Sequence, residues 1–547
     1  MSTRRDFVVA AAAAAAGAFA RPAVLGASRP RYDVVLRGGR VVDGSGRAEV
    51  DADVAIGGGR VVAVGRHLRD TGRFELDARG LVVAPGFVDI HSHGDGTLWE
   101  DPRAESVVRQ GITTIVVGQD GSSRAPRGAG GAAGDPRQLA SFGALWAALR
   151  ELRPAVNVAS MVGLGTVRAA TIGDANRPAT PAEIRRMTRI VVDALADGAC
   201  GASSGLEYTP GAFAPREELV ALCRPLSRRR LPYATHLRNE DDWLLEAIDE
   251  AISVARDAGC PLQISHLKTQ GPRNWRKLDD AFARVASARR SGQDVMFDRY
   301  PYIAYQTGLT NLFPVWSRDG GAHELLARVS RPDSADRIRN ETLAKVELIG
   351  GWDNVMISGV ANAEDRGAEG KRLGSYAASL AREPYDVAVE LLRRSGGSVG
   401  MVGFAMSEEN LTRILAHPQG MVCTDGGAFA VDGPARRGHP HPRGLGSFPR
   451  VLARYVRERR ALSLEQAIRK MTSLPASRVR LRDRGWIAPG LAADVVVFDP
   501  ATIEDRATFA EPFRYPVGIK AVLVNGAMAL LGDVRAEERR GRPLRAG

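Results

Sequence analysis

The sequence predicts an α/β protein built on a (β/α)8 barrel of the TIM type, with a small β-sandwich assembled from both chain ends and an inserted subdomain late in the barrel. Three observations predict it. Apolar, strand-like runs recur between residues 86 and 430 and are usually followed by amphipathic helical stretches. Short alternating strands separated by glycine-bearing turns occur at both ends of the chain. The first apolar run lacks the Gly-rich phosphate fingerprint of a doubly wound sheet, the competing architecture.

The chain opens with "TRRDFVVAAAAAAAGAFARPAVLGAS", a twin arginine followed by an alanine-rich stretch and small-residue cleavage positions. The run is too short and too alanine-rich for a stable membrane span. Residues 1–28 therefore read as a twin-arginine export signal, and the expected location is periplasmic or extracellular. Residues 31–85 then give "YDVVLRGGRVVDGSG", "ADVAIGGGRVVAVG" and "RFELDARGLVVAPG", a β unit whose texture returns over 485–547 in "GWIAPGLAADVVVFDP" and "IKAVLVNGAMAL". The two halves are expected to pair into one sandwich.

The barrel is expected over 86–480. Its eight runs are "FVDIHSH", "TTIVVGQD", "NVASMVGLG", "GASSGLEY", "PYATHLR", "PLQISHLK", "DVMFDRYPY" and "GMVCTDGG". Between them, "EIRRMTRIVVDALADG" and "WLLEAIDEAISVARDAG" carry apolar residues at helical spacing. The stretch 305–395 is too long for one crossover and is expected to form an inserted subdomain or lid.

Composition narrows the function classes. The 547 residues carry 44% hydrophobic and 25% charged side chains, ordinary for a globular protein large enough for more than one domain. The net charge of +12 comes from scattered arginines rather than basic runs, which argues against nucleic acid as a partner. Cys200, Cys223, Cys260 and Cys423 show no close pairing and read as small buried hydrophobes. Nothing in the composition sets an oligomeric state.

Polar residues fall at the strand ends. In "GFVDIHSHGD", His91 and His93 lie on the same face of an extended chain, and read alone they are equally metal ligands or a polar strand end. The whole series favours ligands: the second run ends in Asp120, the fifth in His236, the sixth in His266 and the eighth in Asp425, where barrel active sites are built. Imidazole and carboxylate ligands suit zinc and its neighbours, and a divalent ion lowers the pKa of water from about 15.7 towards 7. The implied chemistry is hydrolysis. Locally, Asp120 also reads as a turn residue before Gly121, and "TDGG" around Asp425 as a plain turn. His67, His323 and His417 read as solvated.

This order of HxH, His, His and Asp, with β segments at both ends, resembles the amidohydrolase superfamily. Within it, "GFVDIHSHGD", "GITTIVVG", "ASSGLEYTPG", "YATHLRNE", "ISHLK", "YPY", "HPRGLGSFPRVLARYVRE" and "LSLEQAIRKMTSLPASRVRL" resemble the N-acyl-D-amino-acid deacylases, the D-aminoacylases. The resemblance implies one or two divalent ions, zinc foremost, held by His91, His93, Asp120, His236, His266 and Asp425. In the resembled enzymes a cysteine on the second strand bridges the metals; the matching residue here is Asp120, a harder ligand. The carboxylated lysine some members use at the fourth strand has no counterpart in "GASSGLEY".

The resemblance also implies that Asp425 takes a proton from water and delivers it to the leaving amine. Asp298 and Asp432 are less well placed for that role. Lys268, two residues past His266, is implied to grip the substrate carboxylate, with Tyr208 and Tyr300 as hydrogen-bonding neighbours; a solvated lysine is the alternative. Gln306 stands near where the resembled enzymes carry a serine. Arg238, His439 and Arg443 are either supports of the site or loop structure. The implied substrate is a small N-acyl-D-amino acid, or a dipeptide with a C-terminal D-residue. A cyclic amidase or lactonase of the same superfamily is a second reading, and a non-catalytic periplasmic binding protein a third, which the Asp425 proton shuttle argues against.

Overall fold

The computed structural model describes residues 30–127 and 138–546. The export segment read over 1–28 lies outside the described residues. Among those described, no helix is long and apolar enough to cross a membrane.

Eight parallel strands form the barrel: Phe87–Asp89, Ile112–Val117, the interrupted strand Asn157–Ser160 and Val162–Gly163, Ala202–Gly205, Tyr233–His236, Leu262–Ile264, Val295–Arg299 and Gly420–Val422. They are almost wholly buried, as strands covered by helices outside and packed side chains inside must be, and this is why they read as apolar runs. The third strand changes neighbour at its interruption: Met161 N donates to Val117 O at 2.9 Å and Val162 N to Gly201 O at 3.0 Å. The eighth meets the first just past their ends, where Asp425 N donates to His91 O at 2.8 Å and His93 N to Gly426 O at 2.9 Å.

The helices follow from local chemistry. Pro181–Ala196 starts on a capping box, Thr180 and Glu183 each satisfying the other's backbone N–H. It buries Met187, Val191, Ala194 and Leu195 on one stripe and leaves its arginines outside. Leu244–Ala258 buries Leu244, Ile248, Ala251 and Val254 and stops at Gly259, whose φ of 71° ends the helix without a Cβ penalty. Each of the buried leucine, isoleucine, valine and methionine side chains contributes about 1.5–3 kcal/mol.

Both chain ends meet in one nine-stranded sheet, joined where Val82–Pro85 runs antiparallel to Val495–Phe498. Val82–Pro85 belongs to this sheet and Phe87–Asp89 opens the barrel. Gly86 is the hand-over point, because a Cβ there would lie 2.3 Å from the side chain of Thr113. After the last strand the chain returns to the barrel, with Val158 N donating to Arg542 O and Leu544 N to Val158 O.

Between the seventh and eighth barrel strands an antiparallel sheet of Ala304–Gly308, Val399–Phe404 and Val355–Val360 carries the helices Gly321–Arg328, Ala335–Leu348, Leu373–Ser379 and Pro384–Arg394. Its core residues Leu309, Phe313, Ile357 and Met401 form one cluster with Val88, Ile90, Val116 and Ala234 of the barrel interior. The subdomain is thus packed onto the barrel mouth rather than tethered beside it.

Candidate metal centre and substrate pocket

At the C-terminal ends of the strands, Oδ2 of Asp120 lies 3.4 Å from Nε2 of His91, His93 and His266, and 3.9 Å from Nδ1 of His236. Asp425 Oδ1 lies 3.1 Å from His93 Nε2 and 3.6 Å from His91 Nε2. Among the described residues, His91, His93, Asp120 and Asp425 form one group able to hold a cation, Asp120, His236 and His266 a second, and Glu207, His236 and Glu240 a third, the atoms of each within 4.8 Å of one another. All six residues named from the sequence converge, and Asp120 is common to the first two groups.

The backbone is bent to achieve this. Asp120, His266 and Asp425 have φ of 50°, 37° and 48°, the left-handed region that costs a non-glycine residue about 1–3 kcal/mol and persists where the surroundings enforce it. Gly121, at φ 78°, completes the turn after Asp120 where a Cβ would stand 2.8 Å from Gly205 N. A plain turn does not explain Asp120: its side chain faces four histidines.

The cluster demands positive charge. Burial disfavours a charged ring at His93, yet hydrogen bonds to Asp120 and Asp425 pull its pKa up to about 9. His91 and His236 are raised in the same way, against burial, by the carboxylates facing them. Both ring nitrogens of His91 and Oδ1 of Asp120 are buried without a hydrogen-bond partner. Orphaned imidazole and carboxylate donors around an electronegative centre fit a divalent cation of the zinc kind. Supports surround them. Asp298 Oδ1 stands 3.4 Å from His91 Nδ1 and accepts from His266 N at 2.8 Å.

Asp425 is the most constrained carboxylate. Burial would raise its pKa, but the charges of Arg443, His266 and His91 outweigh burial and hold it far below the ordinary carboxylate range. Arg443, a loop or support residue by sequence, donates from Nη1 to Asp425 Oδ2 at 2.6 Å. His441 positions it: Arg443 N donates to His441 Nδ1 at 3.0 Å, while His441 Nε2 meets Ala304 O at 2.9 Å.

A cavity of about 450 Å³ opens above these groups and is lined in part by Lys268, Tyr208, Tyr300 and Lys345. Lys268 is buried, not solvated, with Nζ 2.5 Å from Glu240 Oε1 and 2.6 Å from His266 Nδ1. The guanidinium groups of Arg299 and Arg443 stand 4.1 and 4.6 Å from the centre of the Tyr300 ring, and the Tyr300 hydroxyl has no protein partner. Thr307 Oγ1 donates to Tyr208 OH at 3.4 Å. Gln306 lines the cavity, but its amide is engaged with Ser358 Oγ and His441 N.

Other residues singled out by sequence fall outside the site. Arg238 pairs with Glu250 and binds the carbonyls of Ala212 and Ala214. His439 meets Phe509 O at 2.6 Å, and Asp432 is exposed beside Arg103. All four cysteines are buried and unbridged. His323 and His67 are exposed, but His417 is not simply solvated: it is half-buried and stacked on Phe282 with centroids 4.4 Å apart. Sequence reading missed Glu240 and Glu207, whose signal was only their place just past strand ends already marked by His236 and "GLEY".

A parallel barrel with histidines and carboxylates gathered at its C-terminal rim, joined to a nine-stranded β unit, defines a metal-binding hydrolase barrel. The Amidohydrolase family model matches residues 75–309 and 428–529, and the chain belongs to that family. It is 38% identical over 522 residues to N-acyl-D-glutamate deacylase of Alcaligenes xylosoxydans xylosoxydans, covering 94% of this chain and 97% of that one. Identity to N-acyl-D-aspartate deacylase of the same organism is 36% over 529 residues, covering 94% and 95%. The crystal structure of N-acyl-D-glutamate deacylase from Bordetella bronchiseptica, complexed with zinc and a phosphonate mimic of the tetrahedral intermediate, matches with a TM-score of 0.81 at 36% identity, over 94% of this chain and all of that one.

Proposed function

We propose that this protein hydrolyses the amide bond of N-acyl-D-amino acids, or of dipeptides with a C-terminal D-residue, using divalent metal, zinc foremost. The single observation that carries the reading is Asp425: one oxygen faces His93 at 3.1 Å, the other is clamped by Arg443 at 2.6 Å, and both side chains line the cavity that contains Lys268. The similarity to deacylases of N-acyl-D-glutamate and N-acyl-D-aspartate supports the substrate class and its stereochemistry.

His91, His93, Asp120, His236, His266 and Asp425 would hold one or two ions. The cation supplies Lewis acidity, polarising an amide carbonyl and acidifying water at neutral pH. Asp425 Oδ1 accepts the proton as the water oxygen forms its bond to the acyl carbon. The same oxygen then returns that proton to the amide nitrogen as the C–N bond breaks, releasing a carboxylic acid and an amine, which part as carboxylate and ammonium once the acid's proton passes to the amine. Arg443 leaves Asp425 only one oxygen free for the transfer. Lys268 Nζ and the Tyr300 hydroxyl offer the substrate's α-carboxylate a charge and a hydrogen bond, which fixes the amide over the cluster. The twin-arginine motif at the start of the chain supports export before the reaction is performed.

The test is a panel on the metal-loaded protein: N-acetyl-D- and L-amino acids, D-terminal dipeptides and cyclic amides. Turnover of D-configured acyclic substrates is expected. Turnover of the cyclic amides alone would sink the reading, as would none of the panel.

A further inference from the structure

Glu240, in the loop after the fifth barrel strand, is 1% exposed, and its two oxygens face four polar groups. Oε1 lies 2.5 Å from Lys268 Nζ and 3.2 Å from His266 Nδ1. Oε2 accepts from Gln270 Nε2 at 3.1 Å and stands 3.7 Å from His236 Nε2, whose nearer carboxylate is Glu207, with Oε2 at 3.4 Å. The loop is itself pinned, with Gln270 N donating to Glu240 O at 2.8 Å.

Both histidines turn their other nitrogens, His266 Nε2 and His236 Nδ1, towards Asp120. The nitrogens facing Glu240 are therefore the outer ones. An imidazole that offers one nitrogen to a cation carries its hydrogen on the other, and a carboxylate accepting that hydrogen fixes tautomer and ring orientation. Lys268 Nζ stands only 2.6 Å from His266 Nδ1, so with His266 in that tautomer two donors face each other. They need a shared acceptor, and Glu240 Oε1 is within reach of both.

We propose that Glu240 is a positioning residue that joins the cation cluster to the substrate pocket: it orients His266, and its charge offsets the Lys268 ammonium so that a lysine can sit buried beside a divalent cation. The inference rests on the metal-dependent reading above. It goes beyond an ordinary buried ion pair, because it makes the affinity for the cation depend on the balance between Glu240 and Lys268.

The test measures Zn²⁺ affinity of the full chain by competition with a chromophoric chelator in wild type, Glu240→Gln, Lys268→Met and the double variant. Glu240→Gln is expected to weaken binding by about 10–100-fold, as loss of a histidine's supporting carboxylate does. The double variant is expected to regain a large part of that loss, since the uncompensated ammonium is gone. Wild-type affinity in Glu240→Gln would overturn the proposal, and so would a double variant that binds no tighter than Glu240→Gln. Should Glu240→Gln not fold, the double variant decides: folding with bound Zn²⁺ supports the charge balance, and failure to fold overturns it. A wild type that binds no divalent cation would instead remove the metal-dependent reading itself, and this inference with it.

Discussion

Arg443 and Asp425 form a buried ion pair of 2.6 Å that leaves Asp425 one oxygen, Oδ1, turned to the histidine cluster. That geometry separates proton transfer from structural support on a single carboxylate. Asp425→Asn keeps the shape of the side chain and removes the proton acceptor. Turnover is expected to fall by about 10²–10⁴-fold, the usual worth of a general acid and base. Bound metal, measured by elemental analysis, is expected to stay near the wild-type level because the remaining five donors are untouched. Near-normal turnover would remove the proton-transfer role.

Lys268 is read as the anchor of the substrate's carboxylate. Replacing it with methionine also disturbs Glu240, so the informative quantity is a ratio: kcat/KM for an N-acyl-D-amino acid against its carboxamide analogue. Loss of a charge-assisted hydrogen bond is worth about 1.5–3 kcal/mol, and the wild type's preference for the free acid is expected to drop by roughly 10–100-fold. An unchanged ratio would mean that the carboxylate is held elsewhere.

Asp120 can be tested without any substrate. Its Oδ2 lies within 3.9 Å of a ring nitrogen of all four histidines, so Asp120→Ala is expected to lower bound metal per chain together with activity. Asp120→Cys is expected to retain metal but to shift preference from manganese towards softer ions such as zinc, because thiolate is the softer ligand. Equal metal content in wild type and both variants after identical loading would reduce Asp120 to a turn residue.

His417 carries a prediction about stability. Burial against Phe282 and Phe297, helped by the nearby charges of Lys470 and Arg289, lowers its pKa from 6.5 to about 4. The folded state then binds fewer protons than the unfolded state between those two values. By linkage, its contribution to stability is intact above pH 6.5 and is lost as pH falls through about 4. His417→Phe keeps a ring in the stack and cannot titrate. The Tm of the variant is expected to fall less than that of wild type between pH 7 and pH 4.5, and parallel curves would refute the assignment.

The sequence by itself determined the strand order and the convergence of His91, His93, Asp120, His236, His266 and Asp425. The physical reason is the barrel: parallel strands repeat one direction, so residues at successive strand ends must share one rim, and position in the series is enough to bring them together. Helices were legible for a related reason, since periodicity and caps such as Thr180 with Glu183 are local. The tertiary structure alone decided the partners that stabilise this rim. Arg443 reaches Asp425, Glu240 reaches both Lys268 and His266, and Asp298 backs His91 because loops and neighbouring strands deliver them, and no periodicity fixes those paths. It also turned His417 inward against Phe282, because sequence does not tell which ring a loop residue will meet.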